Sequence, residues 1–148
     1  MPTVSAQVTI KAPLEKVYAL ARDIEAFPEF MEDVTEVTIL EKSPGRQVSR
    51  WVGVIKEFGR TIAWTEEDFW NDAEHSCRFR QIEGDFTAYE GEWTFAATNG
   101  DTVVKLQVTY EYKVPLIGQL IQGLLQRKVQ QNCHSMLEAI KRQAERTS

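Results

Sequence analysis

The chain has 148 residues, 43% hydrophobic and 26% charged, with a net charge of −5 at pH 7. That balance excludes a disordered chain. Its acidic residues are spread along the sequence, which excludes the clustered Lys and Arg of a nucleic-acid surface. The length fits one domain, residues 1–148, able to bury a real core.

Thr3 to Lys11 alternates, with Val4, Ala6, Val8 and Ile10 on one face, and reads as a half-buried strand. Pro13 then opens a helix, since its missing N–H would be unpaired in a first turn anyway, and Leu14, Val17, Tyr18 and Ala21 follow at helical spacing. Ile24 to Met31 holds large apolar side chains around Pro28 and reads as a broken or very short second helix.

From Val34 the chain is strands and turns. Val34 to Lys42 is closed by Ser43-Pro44-Gly45. Gln47 to Phe58 and Arg60 to Asn71 flank Gly59 as a hairpin, and His75 to Glu83 and Phe86 to Ala97 flank Gly84-Asp85. Asn99-Gly100 is a tight-turn signal before Thr102 to Lys113. In that last strand Val104, Leu106, Val108, Tyr110 and Tyr112 share the inward face. In the strand before it Tyr89, Gly91, Trp93 and Phe95 do so. Gln47 to Phe58 carries apolar groups on both faces, so the direction of Trp51 stays open.

Pro115 to about Glu145 reads as a long terminal helix that covers the sheet. Its apolar positions form two stripes. Leu116 to Leu125 centres on one direction, and Val129, Cys133, Met136, Leu137, Ile140 and Ala144 on another, ~160° around at ~100° per residue. The axis must kink or restart between Gly123 and Lys128, or the first part must face something else. With Gly118 and Gly123 weakening it, Leu116 to Leu125 is expected to gate the open end of the sheet. The uncharged run Val114 to Gln126 is too short to span a membrane, which takes ~20 apolar residues, but allows transient contact with one. Met1 to Ser5 has no apolar signal core. Two distant cysteines, Cys77 and Cys133, without CxxC spacing, fit reduced thiols in the cytoplasm.

The order strand, two short helices, six strands in meander and long helix resembles the START-like superfamily with its helix-grip fold. The strings that carry the resemblance are Ile10-Lys-Ala-Pro13, Val17-Tyr18, Asp23, Phe27-Pro-Glu-Phe30, Glu83-Gly84, Gly91-Glu-Trp-Thr-Phe95, Asn99-Gly-Asp-Thr102 and Tyr110. The sequence is most similar to the polyketide cyclase/dehydrase and lipid-transport group, and is also similar to the coenzyme Q-binding proteins. The resemblance implies an α+β fold. A seven-stranded curved antiparallel sheet wraps the long helix, and a deep apolar cavity holds a lipid, quinone or aromatic polyketide. A minority of such proteins catalyse cyclisation or dehydration.

The chemistry legible in the residues is sparse. His75 and His134 lack ligand-spaced companions, so neither a metal site nor a cofactor is implied, and no GxSxG or phosphate-loop motif is present. The expected ligand cavity is lined by Trp64, Phe79, Tyr89, Trp93, Tyr110, Tyr112, Leu120 and Leu124, with the ~300–1,000 Å³ usual for a pocket. Glu66 and Asp68 share parity with Trp64, alongside Arg50, Arg78, Arg80 and the tyrosines, so Glu66 is the candidate acid or base of an enzyme. The plainer reading makes Glu66-Glu67-Asp68 a solvated strand face. Three functions follow: a carrier of a hydrophobic small molecule, an aromatase/cyclase or dehydratase, or an interaction module using Leu116 to Leu125. Inward ionisable groups favour the enzyme, an all-apolar cavity the carrier, and an exposed apolar helix strip the interaction module.

Overall fold

The computed structural model describes residues 2–55, 59–112 and 119–146. In chain order the elements are β1 (Thr3–Ile10), α1 (Leu14–Arg22), a 3₁₀ helix (Ile24–Glu29), β2 (Val34–Ser43), β3 (Arg46–Ile55), β4 (Arg60–Asn71), β5 (Ser76–Gly84), β6 (Ala88–Thr98), β7 (Asp101–Glu111) and α2 (Gln119–Arg146). The seven strands form one antiparallel sheet in the order β1-β7-β6-β5-β4-β3-β2. Strands β2 to β7 run as the meander that short turns impose. β1 closes against β7 instead of its sequence neighbour, with Ala6 opposite Leu106 and Val8 opposite Val104. This is the helix-grip architecture: an open, curved antiparallel sheet with a long C-terminal helix.

The period-two pattern does what it predicts. Val4, Ala6, Val8 and Ile10 are buried while Thr3, Ser5, Gln7 and Thr9 are exposed. Asn99 and Gly100 both take positive φ, 52° and 86°, the backbone that a two-residue hairpin requires. Pro13 caps α1, and its carbonyl accepts from the Lys16 and Val17 amides. The second short helix is the 3₁₀ turn, with Pro28 inside it.

α2 is continuous through Gly123 to Lys128, so the expected restart does not occur. Leu125, Val129, Cys133, Leu137, Ile140 and Ala144 are all buried and step by three or four, one stripe down one face. Leu125 belongs to that stripe, being four residues before Val129. The expected gate, Leu116 to Leu125, lies outside the described residues through Gly118, as do the side chains of Leu120 and Ile121. α2 packs mainly along β1, the sheet's edge. There its side chains meet backbone groups that an edge strand leaves unpaired. Gln130 bonds both the amide and the carbonyl of Ser5, Lys141 donates to the Thr9 carbonyl at 2.9 Å, and Glu145 accepts from the Lys11 amide at 2.8 Å.

Gly91 marks where the sheet has no room for a side chain. A Cβ there would sit 2.1 Å from the Gln107 carbonyl oxygen of β7 and 2.6 Å from the Phe79 ring of β5. The backbone contact cannot yield by a rotamer change. Gly91→Ala is therefore expected to destabilise by at least about 3 kcal/mol, the upper range for overpacking. Urea unfolding checks this, and a change below about 1 kcal/mol would contradict the packing described.

Candidate functional site

The sheet's inward face is aromatic at one end, and a cavity of about 90 Å³ lies between it and α2. Trp51 and Trp64 are opposite each other on β3 and β4. Their rings lie parallel, with centroids 6.0 Å apart. Tyr89 of β6 approaches Trp64 at 5.0 Å and Phe86 at 4.6 Å, and Phe79 of β5 stands 5.6 Å from Tyr89. Trp93, Leu106 and Ile62 extend the wall, and Val129, Asn132, Cys133 and Met136 of α2 close it. Asp33, Val34 and residues 52–54 form the remaining side.

Of the residues singled out in the sequence, the structure brings Trp64, Phe79, Tyr89, Trp93 and Glu66 to this cavity. Tyr110 is only 1% exposed, but it lies behind the wall with its ring 6.2 Å from Phe86 and does not line the space. Tyr112 is turned to the rim, where Arg60 donates to its hydroxyl at 3.0 Å. Leu124 is half-buried away from the cavity, and the Leu120 side chain lies outside the described residues. The volume is also smaller than the sequence led one to expect, because Trp51, Phe86 and the α2 residues occupy that space themselves. Trp51 was undecidable from a strand apolar on both faces. Cys133 and Met136 were legible as a helix stripe but not as cavity wall.

Beside the aromatic patch lies a buried polar ladder. On β3 Gln47 and Ser49 are 3% and 0% exposed, and opposite them on β4 Asp68 and Glu66 are 3% and 4% exposed. This overturns the solvated-face reading of residues 66–68. Glu67 alone points outward, where Arg46 and Arg80 hold its carboxylate at 2.7 and 2.9 Å and below its ordinary range. Arg50 and Arg78 also stay outside, beside Glu36 and Glu92.

Within the ladder, Ser49 donates to Asp68 Oδ2 at 2.6 Å, Trp51 Nε1 donates to Ser49 Oγ at 2.9 Å, and Gln47 Nε2 reaches Asp68 Oδ2 at 3.4 Å. Trp64 Nε1 donates to Glu66 Oε1 at 2.7 Å. Burial, then the Asp68 charge and the hydrogen bond to Asp68, push the Glu66 carboxyl well above the ordinary carboxylate range. Burial raises Asp68 as well, but hydrogen bonds from Glu66, Ser49 and Gln47 all favour its charged form. Both carboxyls are thus pushed toward their protonated forms, Glu66 the more strongly. Cys133, on the cavity wall, is no nucleophile, since burial pushes its thiol up to about 12.

A carboxyl raised in the fold binds protons that the unfolded chain has released, so stability falls as pH rises above the ordinary range. Each tenfold change in proton affinity corresponds to about 1.4 kcal/mol. Glu66→Gln keeps both the acceptor for Trp64 and the donor to Asp68. It is expected to raise Tm at pH 8, with the gain vanishing toward pH 4. A variant equally or less stable at both pH values would contradict the buried, protonated carboxyl.

Fold and cavity together define a helix-grip protein with an internal cavity. The chain belongs to the polyketide cyclase / dehydrase and lipid transport family, whose pattern matches residues 10–137. Among solved structures it is similar to TTHA0849 from Thermus thermophilus, with a TM-score of 0.93 and 36% identity over 99% of each chain. It shares its fold with the ZhuI aromatase/cyclase of Streptomyces sp. R1128, with a TM-score of 0.85 and 22% identity over 98% of this chain and 94% of that one. It is 25% identical over 140 residues to the ribosome association toxin RatA of Escherichia coli K12, spanning 88% of this chain and 84% of that protein. Among the described residues no helix is long and apolar enough to cross a membrane.

Proposed function

We propose that the protein binds a hydrophobic small molecule in the cavity between the sheet and α2, for transport or sequestration. The observation that carries this is the wall itself: Trp51, Trp64, Phe79, Phe86, Tyr89 and Trp93 converge on one space. Burying apolar ligand surface there contributes ~25 cal/mol per Å², and one polar group, Glu66, orients what enters. Membership of a family that covers lipid transport supports the reading. At about 90 Å³ the space is below the ~300 Å³ of a usual ligand pocket, so a larger ligand must displace wall side chains. Met136, half-buried and unbranched, is the side chain best suited to yield.

Titration with the neutral apolar fluorophore N-phenyl-1-naphthylamine tests this. The protein should enhance its emission saturably, and Met136→Trp, which fills the cavity, should weaken binding at least tenfold with the fold intact by circular dichroism. No saturable binding, or full binding by the filled variant, would overturn the proposal.

The second reading is an aromatase/cyclase or dehydratase, and the observation favouring it is Glu66 inside the cavity. A protonated carboxyl in an apolar site can act as general acid toward a carbonyl or hydroxyl oxygen. Turnover of a polyketide-like substrate, abolished by Glu66→Gln while N-phenyl-1-naphthylamine binding is retained, would establish this reading over the carrier.

A further inference from the structure

The proposed hydrophobic ligand is narrowed by the charge of the acid pair, and the inference that follows rests on that reading. Glu66 and Asp68 stand two residues apart on β4, both buried, and Glu66 Oε1 accepts from Trp64 Nε1 at 2.7 Å. The cavity therefore meets two acids, Glu66 at its wall and Asp68 buried behind it, which can answer an entering cation with negative charge. Among the described residues no Lys, Arg or His lines the cavity to oppose that charge. The ionisable side chains that do line it are Glu66, Asp33, Tyr89 and Cys133. A buried charge of this kind is costly unless it is paired.

The rings complete the match, since Trp and Tyr faces attract a cation, most strongly where water is excluded.

We infer that the cavity takes an apolar molecule bearing a protonated amine, the ammonium seated against Glu66 among the rings of Trp51, Trp64 and Tyr89. An anionic amphiphile such as a fatty carboxylate is excluded by the same charges. A neutral ligand of equal shape binds through its apolar body alone.

Three probes of one size separate these cases: benzylamine, benzyl alcohol and benzoate, followed by tryptophan fluorescence or calorimetry at pH 7. Benzylamine is expected to bind at least tenfold more tightly than benzyl alcohol, and benzoate more weakly than either. The double variant Glu66→Gln/Asp68→Asn removes the charge with isosteric amides. It should erase the preference, so that benzylamine and benzyl alcohol bind the variant equally. Asp68→Asn alone serves if the double variant fails to fold, with the same expectation. Equal or tighter binding of the alcohol in the native protein, or a tenfold amine preference that survives the variants, would overturn the inference. In the first case the alcohol and N-phenyl-1-naphthylamine still bind, so the cavity reading stands. Failure of every probe sinks both.

Discussion

The structure depends on a mismatch of widths. Seven strands at about 4.8 Å spacing span about 29 Å, whereas one helix with its side chains is about 10–12 Å across. A single helix cannot cover the inward face of such a sheet, and the sheet can only reduce the shortfall by curling. α2 is committed to one side, along β1, where Gln130, Lys141 and Glu145 also satisfy the edge backbone. α1 and the 3₁₀ helix fill part of the remainder, with Val17, Tyr18, Ile24 and Phe27 buried. What is left over, between α2 and β3 to β6, must be filled by large side chains or by something else. The row of rings and the residual cavity are both consequences of that geometry.

Much of the fold was legible because period two and period 3.6 are enforced by burial. β1, β4 and β7 could be bounded from alternation and turns, and the Asn99-Gly100 hairpin from backbone sterics. The family strings, above all Gly91-Glu-Trp-Thr-Phe95, tied those elements to one architecture, and Gly91 has a packing reason to be glycine. The site was legible only in part. Trp51 sits on a strand apolar on both faces, so no pattern told its direction. Glu66 and Asp68 follow the alternation faithfully, yet a carboxylate on an inward position runs against the usual rule of burial. The register shift between Thr65 and Glu66 in the β4–β5 pairing hides them further. Tyr110 and Tyr112 share a face with Leu106, but distance along the strand takes one behind Phe86 and the other to the rim.

A polar ladder buried beside an aromatic cluster runs against stability. Asp68 is held by Ser49 and Gln47, and Trp51 secures Ser49, so three residues serve to orient one carboxylate. Apolar residues of similar volume in these positions would commonly stabilise the fold. Sequences tend to break the ordinary rules of burial at sites that bind or react. The ladder is continuous with the cavity through Glu66 and Trp64, so the buried polar groups and the proposed ligand space fall in one place.

The four tryptophans give the most direct test. Trp51, Trp64 and Trp93 line the cavity, and Trp70, buried against Tyr18 and Arg22, does not. In a ¹⁵N–¹H correlation spectrum each indole N–H gives its own signal, assignable by Trp→Phe substitution. On titration with a hydrophobic ligand, the account predicts that the signals of Trp51, Trp64 and Trp93 move in concert with saturation while that of Trp70 stays in place. Saturable binding that leaves the three unmoved, or that moves Trp70 instead, would place the ligand elsewhere and contradict the account.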